Sequence, residues 1–512
     1  MKKTGTILEK ITEGLFAGMM TAALLLVLLF SGAAYNCKIT FLLPNWALCG
    51  AALVLSLLLV MFVCRQRQKH WMGDAVQWLD RMVPWILLGL FVVEVYISFC
   101  IFFQPGWDPG TLWKRAWQRI YGDSWGDYFS RYPNNLLLLL LETFLLRFNS
   151  AFGVFPGDYA QMCCILVDCA AIALSCGLTY QVMKNLTGPG WALVSFLFCI
   201  LLAGLSPWMC IFYSDTLGIL FPILTLYLYT KPGKTRRNRV LAILVGCVGY
   251  FLKPQCIIMV IAILGMEIVY AIQEKTKTRA LRALGLAVLS AAVILVLSNV
   301  LVWQYESADV QLEKEESFGM AHFFMMGLNE ETTGAFSSED ADFSAGFATS
   351  GERTRGDIAR ALDRLQQMGP GGYLRHLSQK LLMTFHDGTF GWWVEGTFYT
   401  PLVDAPNTHI APALRSLYYR DGGKHEVWKL AAQALWMAAL LLGTLYGLLS
   451  LKKQGRFETS VLKLALFGTV LFLLLFECRA RYLFMHVPLF CCLAGLGLEE
   501  LAQCIKRKRI KE

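Results

Sequence analysis

The sequence is poor in charged residues. Asp, Glu, Lys and Arg together make up 16% of its 512 residues, whereas soluble domains average about 25%. Hydrophobic residues make up 56%, and the mean hydropathy is +0.50. A chain of this composition cannot cover its apolar surface with polar groups, so a soluble protein is excluded and a membrane protein is predicted.

Several patterns that carry chemistry in soluble proteins are also missing. The sixteen Cys lie mostly in apolar runs and the polar segment 304–428 has none, so no disulfide framework is predicted. No CxxC pair or His/Cys ligand spacing is present, which argues against a structural zinc site. No Gly-rich phosphate loop precedes a helix, so an activated substrate is expected to arrive on a lipid and not through a nucleotide-binding domain.

Long apolar runs dominate instead. A helix of roughly 20 residues crosses a hydrocarbon core, and backbone groups in lipid must pair within their own segment, so each run is predicted to be helical. The fold class predicted is an all-α polytopic membrane protein with about 12–13 transmembrane helices. The runs are 12–34, 45–64, 84–103, 159–182, 189–206, 208–230, 240–252, 254–272, 283–303, 429–450, 460–477 and 482–503, with a short thirteenth at 136–148.

Lys and Arg recur at loop intervals along the chain. Because short cytoplasmic loops retain positive charge, both termini are predicted to be cytoplasmic and segments 104–133 and 304–428 exterior. The number of spans fits this orientation only if 136–148 does not cross or a neighbouring pair counts as one, and hydropathy leaves both open. Scattered clusters do not form the single stripe of a nucleic-acid-binding protein, so no nucleic acid partner is expected.

Four regions follow from these patterns. Residues 1–83 form an N-terminal two-helix extension and 84–303 a transmembrane core with the exterior loop 104–133. Residues 304–428 form a small α-rich exterior domain, and 429–512 the last helices with a basic tail. Within the exterior domain, Ile358–Met368 and Tyr373–Thr384 have helical periodicity, with a break at 369–372.

The exterior loop 104–133 combines carboxylates with aromatic rings. Aromatic faces beside acidic oxygens suit a sugar, whose ring stacks while its hydroxyls donate hydrogen bonds. The alternative is that the aromatic residues anchor the protein at the bilayer interface. The acidic candidates are Asp108, Asp123 and Asp127, the basic one is Arg131, and the sugar-stacking candidates are Trp107 and Tyr132.

Other charged residues interrupt apolar runs near their exterior ends. Asp215, Lys253 and Arg481 are predicted to lie at one membrane depth, where the two cations could bind a lipid phosphate. The alternative is that these side chains snorkel to lipid headgroups. Glu94 and Asp168 lie deeper and are expected to make helix–helix polar contacts, with a proton relay as the functional alternative.

The segment 385–396 of the exterior domain is rich in aromatic and polar residues. His386, Asp387, Trp392, Trp393 and Glu395 are candidates for an acceptor groove, with Trp392 and Trp393 as sugar-stacking rings. A histidine among aromatic residues is also compatible with a purely structural role. The sequence alone does not decide between the two.

Five short motifs resemble those of a Gram-positive branch of family-39-like membrane glycosyltransferases, within the GT-C superfamily that includes protein O-mannosyltransferases and aminoarabinose transferases. The resemblance covers about residues 84–490. Many members carry a paired acidic motif where this chain has a single Asp followed by Pro, which leaves a divalent metal requirement open. The motifs are Arg131-Tyr-Pro-Asn-Asn, Tyr213-Ser-Asp-Thr, Lys253-Pro, His322 to Asn329 and Arg481-Tyr-Leu.

The resemblance implies a function at the outer face of the cell membrane. A sugar would move from a polyprenyl-phosphate donor to a glycan, lipid or protein acceptor, with Asp108 as catalytic base. Asp123, Asp127 and Asp215 would lie on the acceptor side, and Lys253, Arg481 and Arg131 would bind the donor phosphate. Two other functions are compatible with the same sequence, a flippase of lipid-linked sugars and a wall-polymer ligase or polymerase.

Overall fold

Helices account for most of the structure. A computed structural model describes residues 2–34, 37–66, 69–122, 128–155, 157–233, 235–307, 312–395, 399–400 and 409–511. Two short antiparallel strand pairs are present, β1 (Ala33–Ala34) with β2 (Cys37–Lys38) and β3 (Gln104–Pro105) with β4 (Tyr399–Thr400). The helices are α1 (Lys2–Leu29), α2 (Asn45–Gln66), α3 (His70–Cys100), α4 (Trp107–Tyr121), α5 (Tyr128–Arg131), α6 (Leu136–Phe152), α7 (Met162–Thr187), α8 (Pro189–Cys199), α9 (Ser214–Leu217), α10 (Leu220–Thr230), α11 (Arg236–Leu252), α12 (Ile257–Glu274), α13 (Lys277–Glu306), α14 (Met320–Gly327), α15 (Ser338–Ala345), α16 (Ser350–Phe385), α17 (Trp392–Glu395), α18 (Ile410–Tyr418), α19 (His425–Ser450), α20 (Phe457–Leu475) and α21 (Val487–Lys511).

Ten helical stretches in the described part of the chain are long and apolar enough to cross a membrane. This confirms the predicted all-α polytopic membrane protein. A shorter apolar stretch, Pro189–Gly204, continues α8 through a π-helical turn. The ten stretches correspond to α1, α2, α3, α6, α7, α12, α13, α19, α20 and residues 480–507.

The two ends of the bundle differ in charge. Three basic loops lie at one end, which we call the basic end. Contacts between residues at or next to these loops show that they are close together: the Tyr229 hydroxyl donates to Glu267 (2.9 Å), Arg282 pairs with Glu267 (3.3 Å), and the Tyr270 hydroxyl donates to the Gly455 carbonyl (3.1 Å). The N- and C-terminal helices have their charged termini there as well. Asp108 lies at the opposite end, which we call the Asp108 end.

Helix α6 lies along the Asp108 end and does not cross the bundle. It starts directly after Asn135, whose amide donates to the hydroxyl of Tyr128 beside Asp108 (2.8 Å). Shortly after α6 ends, Phe155 contacts Phe99 (5.8 Å between ring centroids), close to the end of α3 that leads to Asp108. Both ends of α6 therefore lie at the same end of the molecule.

The run 208–230 was predicted to be one helix, and this prediction is wrong. A 3₁₀ turn at Pro207–Cys210 is followed by extended backbone, the four-residue helix α9 and then α10. The Thr216 side chain accepts a hydrogen bond from the Tyr213 amide (3.1 Å), which satisfies a backbone group at the break. Hydropathy does not detect such a break, because irregular backbone is tolerated at membrane depth when it is buried in protein. The break carries Asp215.

Small residues allow the central helices to pack closely. A Cβ atom added at Gly497 of α21 would lie 2.3 Å from the Leu442 carbonyl oxygen of α19, so glycine is needed for this contact. The N-terminal helix α1 is joined to the same core by buried polar contacts, including a hydrogen bond from Gln273 to Glu9 (3.2 Å). The predicted boundaries after residues 83, 303 and 428 each fall inside a helix, namely α3, α13 and α19.

The polar segment between α13 and α19 is helical, as predicted. Helix α16 has a kink at Gly369, where φ is +59° and Pro370 follows, so the predicted break between two helices is confirmed. Met325, Leu328 and Ala361 form a small core between α14 and α16. After α16 the chain turns back toward the bundle, and the Gly388 amide donates to Gln433 of α19 (2.7 Å).

Candidate active site

Asp108 lies in the first turn of α4, next to an unusual backbone conformation. Trp107 has φ of +40°, a left-handed value that is costly for a residue with a bulky side chain. A Cβ atom added at Gly110 would lie 2.2 Å from the Pro105 carbonyl oxygen, so the turn also requires glycine there. Backbone strain of this kind concentrates at functional sites and here fixes the direction of the Asp108 side chain.

Two tyrosines hold the Asp108 carboxylate. The Tyr128 hydroxyl donates to Oδ1 (3.1 Å) and the Tyr213 hydroxyl donates to Oδ2 (3.0 Å). Burial raises the pKa of Tyr128 well above its usual value, and the neighbouring Asp108 charge adds to this effect, so the hydroxyl stays protonated as a donor. Asp108 itself is half-buried. Each of its oxygens retains a second lone pair that a substrate hydroxyl could use.

A second carboxylate, Asp215, lies between two cations. Lys253 Nζ forms an ion pair with Asp215 Oδ1, and Arg481 Nε lies 3.2 Å from Asp215 Oδ2. The three side chains are 2–11% exposed. The described residues offer Lys253 one hydrogen-bond acceptor, Asp215, while its ammonium lies 3.9 Å from the centroid of the Tyr482 ring. Its remaining N–H groups are therefore available to an anionic ligand.

Arg481 connects the two carboxylates. Its guanidinium lies 4.1 Å from the centroid of the Trp107 ring, and Trp107 meets Tyr213 edge to face at 5.4 Å. Cation–π contacts of this kind hold a cation without neutralising it. Asp108 and the cluster of Asp215, Lys253 and Arg481 therefore belong to one site.

The loop before α21 supplies Arg481 and contains a third carboxylate. Glu477 accepts hydrogen bonds from the Tyr482 hydroxyl (2.8 Å) and from Arg479 Nε (3.2 Å). Burial raises the pKa of Glu477. Glu477 thus fixes Tyr482, the aromatic ring on which Lys253 lies.

Arg131 and Tyr132 lie at the side of this site that faces the start of α14. The Arg131 carbonyl accepts from the Phe318 amide (3.0 Å), and Tyr132 lies 5.3 Å from both Tyr128 and Phe318 between ring centroids. Burial raises the pKa of Tyr132 to about 12. Both residues therefore belong to the surroundings of Asp108, and their predicted roles as a donor-binding cation and a stacking ring stay predictions.

His386, Asp387 and Trp392 are not in this site, and the Glu395 side chain lies outside the described residues. Trp392 is fully buried, its indole donates to the Tyr418 carbonyl (2.8 Å), and its ring packs edge to face on Trp208 at 5.4 Å. His386 contacts Asn45 of α2 (3.3 Å), and the Asp387 carboxylate accepts hydrogen bonds from its own turn. In this structure no sugar can stack on Trp392. Asp123, Asp127 and the Trp393 side chain lie outside the described residues.

Three further carboxyl groups lie within the bundle. Glu94, Glu142 and Asp168 are fully buried, and no hydrogen-bond partner for their oxygens is found in the described ranges. The expected helix–helix polar contacts of Glu94 and Asp168 stay a prediction. In the same ranges, no group of three or more His, Cys, Asp or Glu side chains is arranged to hold a metal ion.

Four residues of the site were not predicted from the sequence as site residues: Tyr128, Tyr213, Glu477 and Tyr482. Tyr213 and Tyr482 were visible only as members of the motifs around Asp215 and Arg481. A tyrosine within two residues of a charge in an apolar run is the signal that would have identified both.

Comparison with protein families places the chain in a wider group. Residues 4–502 match a family described as conserved hypothetical integral membrane protein. The chain belongs to this family. No curated protein matches it significantly. The family therefore supports the integral membrane assignment, and the arguments about chemistry rest on the residues themselves.

Proposed function

We propose that this family member is a membrane glycosyltransferase that moves a sugar from a polyprenyl-phosphate donor to an acceptor hydroxyl. The observation that carries the proposal is the half-buried Asp108 carboxylate, oriented by two tyrosines and joined through Trp107 to a pair of cations. This transfer requires a carboxylate that can accept a proton and, next to it, cations that can bind a phosphate.

Asp108 would act as the general base. Its free lone pair accepts the proton of the acceptor hydroxyl while that oxygen attacks the anomeric carbon. The bond between this carbon and the donor phosphate oxygen breaks, and the electron pair leaves with the polyprenyl phosphate. A single displacement of this kind inverts the anomeric centre.

Lys253 and Arg481 would stabilise the negative charge of the departing phosphate. Arg131 is kept as a third donor-side cation because it lies next to Tyr132. Asp215 was first assigned to the acceptor side, but its contacts favour a different role: as the counter-ion of Lys253 and Arg481, it sets the distance between them.

The charge distribution supports an outer-face site. The basic loops lie at the end opposite Asp108, and basic loops are retained in the cytoplasm. We therefore place both termini in the cytoplasm and Asp108 at the outer face of the cell membrane, where a cell-envelope glycan, a lipid or a protein would be the acceptor.

A flippase for lipid-linked sugars is the second candidate. The buried Glu94 and Asp168 favour it, because ionisable groups within the membrane often mark transport or proton pathways. The products distinguish the possibilities: a flippase forms no glycosidic bond, and a wall-polymer polymerase lengthens a glycan.

The decisive experiment measures transfer of labelled sugar from a panel of polyprenyl-phosphate sugars by the purified protein in lipid. Asp108→Asn should slow transfer by about 10²- to 10⁴-fold, the usual contribution of a general base, while donor binding is retained. Asp363→Asn, at an exposed residue of α16, is the matched control and should leave transfer unchanged. Unchanged transfer by Asp108→Asn would remove Asp108 from its role, and no transfer from any donor would favour the flippase.

A further inference from the structure

Lys380, in the second half of α16, is a fully buried lysine with an unusual set of partners. Its Nζ donates to the carbonyl oxygens of Gly327 and Phe476, both at 2.7 Å. No carboxylate forms an ion pair with it in the part of the chain that the structure describes. Burial lowers the pKa of Lys380. A buried ammonium without a carboxylate is expensive, so a specific role is expected.

Both of its partners are helix C-termini. Gly327 is the last residue of α14, and Phe476 directly follows the last residue of α20. The final carbonyl groups of a helix lack partners within the helix and carry partial negative charge. The Lys380 ammonium therefore caps two helices at once, one from the exterior segment and one from the membrane bundle.

The backbones around Lys380 are in direct contact. A Cβ atom added at Gly327 would lie 2.7 Å from the carbonyl oxygens of Leu475 and Phe476. The Cys478 amide donates to the Gly334 carbonyl (2.9 Å), and the Cys478 thiol lies 3.4 Å from the Thr333 carbonyl. The turn after α14 and the segment 475–478 are thus joined by backbone contacts, and Lys380 adds a hydrogen bond to each of them.

The segment 475–478 leads directly into the loop that carries the site cations. Glu477 lies within it, Arg479 follows, and Arg481 reaches Trp107 and Asp215. We propose that Lys380 is a positioning residue that holds the loop 476–482 against the exterior helices and so fixes Arg481 for donor binding. The consequence for donor binding depends on the proposed function, whereas the attachment of the loop does not.

The first test measures the attachment alone. Cys478 is fully buried, so its labelling by a maleimide, read by peptide mass spectrometry on the full chain in lipid nanodiscs, reports loosening of the loop. Lys380→Met removes both hydrogen bonds and should speed Cys478 labelling at least ten-fold. Lys429→Met is the control, because Lys429 is another largely buried lysine at the Asp108 end and pairs with Glu426 (2.6 Å). It should leave Cys478 protected.

The second test measures sugar transfer by the same variants. Lys380→Met should raise the KM for the donor at least ten-fold and change kcat less, because Arg481 would be displaced while Asp108 stays in place. Lys380→Gln, which keeps donor groups without the charge, should give an intermediate KM. If Lys380→Met does not fold, Lys380→Gln carries both tests.

The outcomes separate the two proposals. Cys478 that stays protected when Lys380 is replaced would overturn the positioning role. Faster labelling with an unchanged KM would show that the loop is held by Lys380 but does not bind the donor, which overturns the link to Arg481. Faster labelling in a protein that transfers no sugar from any donor would support the attachment and contradict the glycosyltransferase proposal.

Discussion

Two clusters, one at each end of the bundle, have a buried carboxylate between two cations and differ in how these cations are surrounded. At the basic end, Glu13 pairs with Lys10 (3.0 Å) and with Lys463 (3.4 Å). At the Asp108 end, Asp215 pairs with Lys253 and with Arg481 (3.2 Å). The charge arrangement is the same, so charge alone does not distinguish a structural cluster from a functional one.

The difference lies in the other contacts of the cations. Lys10 also donates to the Leu451 carbonyl and Lys463 to the Ser450 hydroxyl, both at 2.8 Å. These contacts tie α1 to α19 and α20. Lys463 also lies over an aromatic ring, that of Tyr446 at 4.8 Å from the centroid, whereas Lys253 and Arg481 lie closer to their rings, at 3.9 Å and 4.1 Å. Among the described residues Lys253 has Asp215 as its one hydrogen-bond acceptor, so its remaining N–H groups can bind an anionic ligand, whereas Lys10 and Lys463 also donate to other groups of the protein.

The largest expected effect comes from removing the central carboxylate of each cluster. Glu13→Gln leaves Lys463 buried without its counter-ion and should lower the free energy of unfolding by about 3–5 kcal/mol. Asp215→Asn should cost a similar amount, but added polyprenyl phosphate should offset it, because a bound anion stabilises the folded state. Denaturant unfolding in detergent, with and without the lipid phosphate, measures both. An equal response of the two variants to the lipid would remove the distinction between the clusters.

A smaller effect is expected from removing single tyrosine hydroxyls. Tyr213→Phe takes one of two hydrogen bonds from the Asp108 carboxylate, and a hydrogen bond to a charged group contributes about 1.5–3 kcal/mol, so transfer should slow about ten- to hundred-fold. Tyr229→Phe is the matched control, since Tyr229 donates to the buried Glu267 at the basic end (2.9 Å). It should lower stability without changing transfer by the folded protein. Equal transfer rates for the two variants would contradict the role of Tyr213.

A conservative change at Arg481 should have a smaller effect still. Arg481→Lys keeps the charge but loses the planar stack on Trp107, which contributes about 1–2 kcal/mol when desolvated, so transfer should fall about ten-fold. Arg282→Lys, at the cation that pairs with Glu267 (3.3 Å), is the comparison at the basic end and should leave transfer unchanged. Steady-state rates with a saturating acceptor measure both. Full activity of Arg481→Lys would mean that only the charge matters.

Asp215, Lys253 and Arg481 were predictable because charges that interrupt apolar runs are conspicuous, and Asp108 because it lies among aromatic residues in a loop directly after an apolar run. The structure brings these four residues together. Their partners Tyr128 and Tyr213 were missed, because a tyrosine near the bilayer surface has the same sequence signature as an interfacial anchor. The role of Asp215 between two cations depends on residues far apart in the chain.

The placement of segments was less predictable than their helicity. Helix α6 is apolar, yet both of its ends lie at the Asp108 end, and hydropathy contains no information about direction. Trp392 was predicted to line a groove but is buried, because its segment folds back onto α19. The Gln433 side chain accepts a hydrogen bond from the Gly388 amide, so this backbone group is not left unpaired when the segment is buried, and nothing in the sequence connects Gln433 with residue 388.

The smallest expected difference between the two ends is their response to mild acid. His322 and His386 lie toward the Asp108 end, and burial lowers the pKa of each to about 4. An unfolded histidine titrates near 6.5. The unfolded state therefore binds more protons between pH 6.5 and 4, so stability is full above this window and falls as the pH drops through it.

Between pH 7 and pH 6, each of these histidines should cost somewhat less than about 1 kcal/mol in unfolding free energy. His322→Gln should remove only the share of His322 in this pH dependence, because His386 and the buried His376 and His425, whose pKa values burial also lowers, still contribute, and the exposed His409→Gln should remove none. His322 lies 2.7 Å from the Ser344 hydroxyl, which donates to Asp357 (2.7 Å), so glutamine is chosen to keep a polar partner there. Denaturant midpoints at the two pH values measure the effect. If His322→Gln leaves the pH dependence unchanged, other groups cause the loss of stability in acid, and helices α14–α16 are no more sensitive to acid than the basic end.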